Sequence, residues 1–524
     1  LTYVLAAAVV VAIVCIIIPQ FAASIRQFTA NFDTYYRNAE RLLLANKDTV
    51  VFEWLQKWDI EQKLVGLTEY LPEMLLKTFD FTASIFGVVV DLFVGIAFSV
   101  YILADKRGLK KMAQGLAKLA LKQPRYSRFA GTMKLTVDTF SSFFNGQMTE
   151  AFILGMDASI VPSLEAGGVR YYDFDGKEKD VFEILSENGI NYIRVRVWVD
   201  PYDGSGRGYG GGNCDIGTAL AIGKRATRYG MKLLVDFHYS DFWADPGKQM
   251  VPKAWVGMEI GEKADALNRY TTDCLQQLKD AKVDVGMVQL GNETNGSLCG
   301  ETAWRNICYL MEAGSRAVRA IFPEALVAVH FTNPENADAM RFYAKTLDDF
   351  RLDYDVFATS YYPYWHGTLE NLAAVLSQIA EAYGKKVMVA ETSYAYTPED
   401  TDFFGNTIGE GGSYAKPYPL TVQGQADAVA DVVRTMAEDT TNGIGVFYWE
   451  GAWISAGGGS RAENSRKWEQ YGSGWASSYA ASYDPEDAGK YYGGSAVDNQ
   501  AFFDSTGRAL ESLKVFSLLR TGTH

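Results

Sequence analysis

Cysteine and basic charge are both scarce in this 524-residue chain. Its five cysteines, Cys15, Cys214, Cys274, Cys299 and Cys308, include no C-x-x-C pair and no Cys/His cluster. That excludes a zinc-ribbon or disulfide-framework protein, while pairing among the last four stays open on spacing alone. A formal net charge of -14 leaves no basic surface fit to neutralise phosphates, so no nucleic-acid partner is expected. A nucleotide-binding glycine loop is also missing. The one glycine-rich run, "GSGRGYGGG" at 204–212, lacks the Lys and Ser/Thr of a phosphate cradle and reads as a flexible loop. The length exceeds one ordinary domain.

Long apolar runs are present, but only before residue 150. Residues 1–19, "LTYVLAAAVVVAIVCIIIP", are almost unbroken, and 81–104 are interrupted by one charge, Asp91. Both approach the roughly 20 residues that span a bilayer. The first also resembles the core of a secretory signal peptide, but it has no basic leader and runs long for one. Residues 105–134 carry nine Lys/Arg against one acid, whereas 21–80 carry seven basic and nine acidic residues. The positive-inside rule then places 105–134 in the cytoplasm. A third stretch, 137–156, is broken by Asn145, Gln147 and Glu150 and makes a weak span. Residues 1–150 are therefore expected to form a helical membrane region with two transmembrane helices, which would give the protein a membrane partner.

From 151 to 524 the pattern changes to short β-branched runs alternating with helix-like stretches. Eight runs, at 152–159, 191–199, 232–240, 285–293, 326–332, 356–363, 386–394 and 443–451, predict an α/β fold, a (β/α)8 TIM barrel. A doubly wound sheet is the alternative, weakened by the missing glycine loop after the first strand. Active groups in such barrels collect at the C-terminal strand ends. Those ends hold Asp236, His238, Tyr239, Asp241 and Trp243, then Asn292 and Glu293, then His330, then Tyr361, Tyr362, Trp365 and His366, then Glu391, then Trp449, Glu450 and Trp453. Glu293 and Glu391 each close an apolar strand, with aromatic residues around them. One carboxylic acid to protonate a leaving oxygen and one carboxylate to attack or to activate water are what glycoside hydrolysis needs. Asn292 stands where it would meet a sugar 2-hydroxyl. A barrel that only binds oligosaccharide, carried by a transporter or sensor, is the competing reading, but it has no use for both glutamates.

The segments "LGMDAS", "GINYIRVRVWVDP", "DFHYSDFWADPGKQ", "PKAW", "LGNETNG", "SYYPYW", "VAETSY", "FYWEGAWI" and "DNQAFFDSTGRALESL" resemble, in order, the family 53 glycoside hydrolases over about 153–520. The resemblance implies a retaining endo-β-1,4-galactanase acting on type I arabinogalactan, the pectic side chain, outside the cell or at its surface. It implies Glu293 as acid/base, Glu391 as nucleophile and Arg194 as the nucleophile's guanidinium partner, with no cofactor for catalysis. It further implies a sugar site lined by Asp157, His238, Tyr239, Asn292, Tyr361 and Trp449, while Trp243, Trp365 and Trp453 are candidate stacking platforms. Bacterial members often hold a structural calcium ion on the loops after strands seven and eight. Here Asp400, Asp402, Asn406, Ser495 and Asp498 offer the oxygen ligands, with Phe404 where the family pattern has histidine. Residues 1–155 weakly resemble a fragment of the autoinducer-2 exporter-like transporter family. Both resemblances claim part of "AFILGMDASIVPSLEAGG" at 151–168, which reads as the seam of a fusion. The barrel's need for a first strand gives it the stronger claim. No feature of the sequence indicates an oligomeric state.

Overall fold

The computed structural model describes residues 152–521. The two apolar runs at 1–19 and 81–104 and the expected boundary at 150 lie outside them. Among the described residues no helix is long and apolar enough to cross a membrane.

Eight parallel strands close a barrel in chain order. They are β1 (Ile153–Asp157), β2 (Tyr192–Val197), β3 (Lys232–Phe237), β4 (Val285–Leu290), β5 (Leu326–Phe331), β6 (Val356–Ser360), β7 (Lys386–Thr392) and β8 (Gly443–Tyr448). β1 pairs with β2 on one side and β8 on the other, so "FILGMDAS" does supply the closing strand. The main crossover helices are α1 (Val181–Glu187), α2 (Ile216–Arg228), α3 (Ile260–Asp280), α4 (Trp304–Ile321), α5 (Ala337–Asp349), α6 (Leu369–Tyr383) and α7 (Val422–Arg434), followed by α8 (Arg461–Tyr471) in the last loop and the terminal α9 (Val515–Thr521). Several start at caps legible in the sequence. Asp215, Asn336, Thr368 and Thr421 accept from backbone N–H groups of the first turn, and Glu259 and Glu262 form a capping box on α3.

Alternation along the strands sorts the core into two shells. Outward residues such as Val195, Val235, Val288, Val329 and Val389 pack against the helices. Inward residues Ile153, Leu234, Met287, Ala328, Ala358, Met388 and Phe447 fill the lower barrel. Each fully buried aliphatic side chain stabilises the fold by roughly 1.5–3 kcal/mol. Gly155 is required there, since a Cβ would lie 2.2 Å from Cδ1 of Phe447. Above this apolar floor the inward positions turn polar: Asp157, Arg194, Arg196, Asp236, Gln289, His330 and Ser360 are all buried. Cys214, Cys274, Cys299 and Cys308 are buried and free, so no disulfide joins them.

Candidate active site

The polar layer opens at the C-terminal strand ends into a cleft of about 310 Å³ lined by Arg196, His238, Trp243, Asn292, Glu293, Glu391, Trp449, Trp453 and Trp475, among others. Glu391 reaches it where the β7 pairing register shifts against both neighbours, a bulge that re-aims the side chain. Its two oxygens have separate donors. Arg194 Nη1 donates to Oε1 at 2.7 Å and the Tyr362 hydroxyl to Oε2 at 2.9 Å. Arg194 is fully buried and also donates to Asp236 at 2.8 Å and to Asn292 Oδ1 at 2.9 Å. One guanidinium thus holds the carboxylate, the neighbouring amide and a buried aspartate in one plane of contacts.

Glu293 follows β4 with a φ of 47°, a left-handed conformation that a glutamate adopts only when its surroundings impose it. Among the described residues no cation pairs with it. Burial first, and then the charge of Glu391, push its pKa up to about 8. Burial raises Glu391 as well, but the Arg194 guanidinium opposes that rise. The two carboxyls are therefore unequal, and Glu293 is the one disposed to keep a proton.

The other sequence-based assignments divide. His238 lines the cleft, accepting at Nδ1 from Trp198 Nε1 and the Ala244 N–H, so its Nε2–H faces Asp236 at 3.1 Å. Asn292 lines it too, its orientation fixed by Nδ2 donating to the Ala244 carbonyl at 2.9 Å. Trp449 and Trp453 form one wall with Trp243, whose ring lies nearly parallel to that of Trp453, 6.4 Å apart at 6°. Trp365 is half exposed beside Tyr362 and Tyr364, on the β6 loop and outside this cleft. Asp157 is fully buried, holding Ser159 and the two arginines, and does not line the cleft. Two tyrosine assignments need correction. Tyr239 points to the helix shell, stacked on Phe237 and hydrogen-bonded to Thr271. Tyr361 is buried with its hydroxyl on the Gly367 carbonyl, and its neighbour Tyr362 is the tyrosine at Glu391. Sequence reading also gave no role to Ser360, Arg196 or Trp475.

The sequence profile of glycosyl hydrolase family 53 matches residues 153–516. The chain belongs to that family. The endo-beta-1,4-galactanase of Bacillus subtilis (strain 168) is 57% identical over 376 residues, 72% of this chain and 87% of that protein. An arabinogalactan endo-beta-1,4-galactanase of Cellvibrio japonicus (strain Ueda107) is 34% identical, over 60% of this chain and 85% of that one. Among solved structures, the Ignisphaera aggregans GH53 catalytic domain superposes with a TM-score of 0.62 at 36% identity, covering 70% of this chain and 96% of that one. A second profile, AI-2E family transporter, matches residues 1–171. As a family 53 glycosidase, the protein needs no cofactor for its catalytic step.

Two long loops finish this family 53 site. The loop after β8 carries α8 and brings Trp475 to the cleft, where its carbonyl accepts from Trp243 Nε1 at 2.8 Å. Lys248, from the β3 loop, ties the same segment down through Asp484 and Asp487, each at 2.6 Å. This loop is thus a wall pinned from the opposite side. Where the loop after β7 meets the chain after β8, carboxylate oxygens of Asp400, Asp402 and Asp498 lie within 4.8 Å of one another. Asp498 Oδ1 and Asn406 Oδ1 are buried there with no hydrogen-bond partner. Ser495 meets this group through its backbone N–H, which donates to Asp402.

Proposed function

We propose that the protein is a retaining endo-β-1,4-galactanase in which Glu293 is the acid/base and Glu391 the nucleophile. The observation that carries this reading is the inequality of the two carboxyls. Glu391 has a guanidinium and a phenol as donors, while Glu293 is half-buried with no cation beside it among the described residues. In the first step a Glu391 oxygen attacks the anomeric carbon while Glu293 gives its proton to the departing glycosidic oxygen. In the second, Glu293 takes a proton from water, the water oxygen attacks the anomeric carbon, and Glu391 leaves. Arg194 and Tyr362 stabilise Glu391 whenever it is charged, and Asn292, fixed by Arg194 and Ala244, would meet the 2-hydroxyl of the reacting sugar. Trp243, Trp449, Trp453 and Trp475 supply flat apolar faces on which galactose rings would stack. The galactan specificity rests on the relatives' activities, at 57% identity for the Bacillus protein. Release of reducing sugar from galactan, compared with cellulose and xylan, tests it. Equal or faster cleavage of either competitor would defeat it.

We further propose a structural calcium ion held by Asp400, Asp402 and Asp498 with the Asn406 carbonyl. The two unpartnered oxygens fit the request of a hard cation for oxygen ligands. Ser495 would orient the Asp402 carboxylate through its backbone N–H rather than ligate the ion. A polymeric substrate places the barrel outside the cell, and the transporter-like N-terminal match would tether it to a membrane. With two spans and a cytoplasmic 105–134, the barrel would instead sit inside. We therefore read residues 1–150 as a fused fragment with no part in the reaction.

A further inference from the structure

The glycine run at 204–212, expected to be a flexible loop, is fastened along its second half. The Gly211 N–H donates to the Gly474 carbonyl at 2.6 Å and the Gly212 N–H to the Gly472 carbonyl at 2.9 Å. The Ser477 N–H donates to the Tyr209 carbonyl at 2.7 Å, and the Ser477 hydroxyl to the Gly208 carbonyl at 2.6 Å. These bonds join the loop after β2 to the loop after β8 on both sides of Trp475. The start of the run takes no part in the join. Gly204 is exposed there, with open space where a side chain would go.

The join ends at Trp243. Gly211 has a φ of 58°, and a Cβ there would lie 2.8 Å from Cη2 of Trp198 and 3.0 Å from Cζ2 of Trp243. Glycine lets the backbone take this conformation and pass that close to both rings. The Gly211 carbonyl accepts from Arg196 Nη2 at 3.1 Å. Arg196 Nη1 donates to Glu450 Oε1 and to Asp157 Oδ1, so the guanidinium is fixed from the backbone and from two carboxylates. Its Cζ lies over the Trp243 ring, 4.3 Å from the centroid, within cation–π range. The Trp243 Nε1–H is committed to the Trp475 carbonyl. Trp243 therefore has its edge tied and a guanidinium over its face, while its half-buried ring still lines the cleft. Arg196 itself is only 1% exposed, and neither Glu293 nor Glu391 is among its acceptors.

We propose that Arg196 and Gly211 are positioning residues that seat Trp243, fixing the plane on which a galactose ring stacks and so setting how tightly substrate is held rather than how fast the bond breaks. The proposal rests on Trp243 as a sugar platform of the galactanase. Stacking on a fixed ring is binding shared by the ground state and the transition state, so its loss raises KM and spares kcat. The glycine run is then part of the binding wall: it carries the backbone under Trp243 and fastens the segment that brings Trp475 to the same cleft.

Steady-state kinetics of the full chain on β-1,4-galactan test this. Gly211→Ala puts a methyl group where the two rings lie and should raise KM about tenfold, with kcat within about twofold. Arg196→Lys keeps a charge between Glu450 and Asp157 but loses the planar face over the ring, and should raise KM by about three- to tenfold. Gly204→Ala, in the open part of the same run, should leave both constants unchanged. The decisive comparison repeats Gly211→Ala in a Trp243→Ala background. KM should rise no further there, because the ring that the methyl group displaces is gone. General damage to the fold would give the same penalty with or without the ring. KM unmoved in both Gly211→Ala and Arg196→Lys overturns the proposal, as does a Gly211→Ala penalty that persists at full size without Trp243. Trp243→Ala by itself separates the seat from the reading beneath it: an unmoved KM there defeats Trp243 as a platform, and no cleavage of galactan by the unaltered protein defeats the galactanase reading.

Discussion

Glu293 works as an acid only while it holds its proton. A pKa raised to about 8 keeps the acid form populated through neutral pH and loses it as pH rises through that value. On a short galacto-oligosaccharide, kcat/KM should fall on the alkaline side near pH 8. A fall already complete near the ordinary glutamate range of about 4–5 would contradict the burial argument. The two adjacent tyrosines give a sharper comparison. Tyr362→Phe removes a hydrogen bond to a charged carboxylate, worth about 1.5–3 kcal/mol, so kcat/KM should drop roughly 10- to 150-fold. Tyr361→Phe removes a bond to a backbone carbonyl and should cost about 1 kcal/mol of stability, with kcat and KM unchanged. Reversed effects would move the assignment back to Tyr361. At this scale the strand-end pattern singles out Glu293 and Glu391 and the family resemblance adds Arg194, and the structure brings the three together at one site. Strand parity decides the tyrosines. Asp236 and His238 share the inward face of β3, so the odd-numbered Tyr239 faces the helices, and Ser360 shares its face with Tyr362 rather than Tyr361. Counting by twos from Ser360 would have found the right tyrosine.

Each of the eight strands lies inside the run that alternation and β-branching mark out, because a parallel barrel buries both strand faces and leaves continuous apolar runs. Helix ends were legible through their caps, as Asp215 and Thr368 show. The loops were not. The anchoring of the β8 loop depends on Lys248 meeting Asp484 and Asp487 more than 230 positions away, a pairing no local pattern announces. The junction of the β7 loop with the chain after β8 carries its own prediction. If calcium joins Asp400, Asp402 and Asp498, chelation should lower the melting temperature by several degrees, and calcium, but not magnesium, should restore it. An unchanged melting curve in chelator would remove the ion from the account.

Taken as a whole, the molecule places every group of the proposed mechanism within residues 152–521. A fragment beginning near residue 148 should therefore be soluble and should cleave galactan. Loss of activity in a folded fragment would assign a role to the N-terminal region that the barrel does not require. The central claim is that two unequal glutamates hydrolyse β-1,4-galactan, and reducing-sugar release from potato galactan by the unaltered protein, Glu293→Gln and Glu391→Gln tests it most directly. The account predicts release by the unaltered protein and a loss of at least about a thousandfold in each variant with folding retained. Full activity in either variant would contradict it.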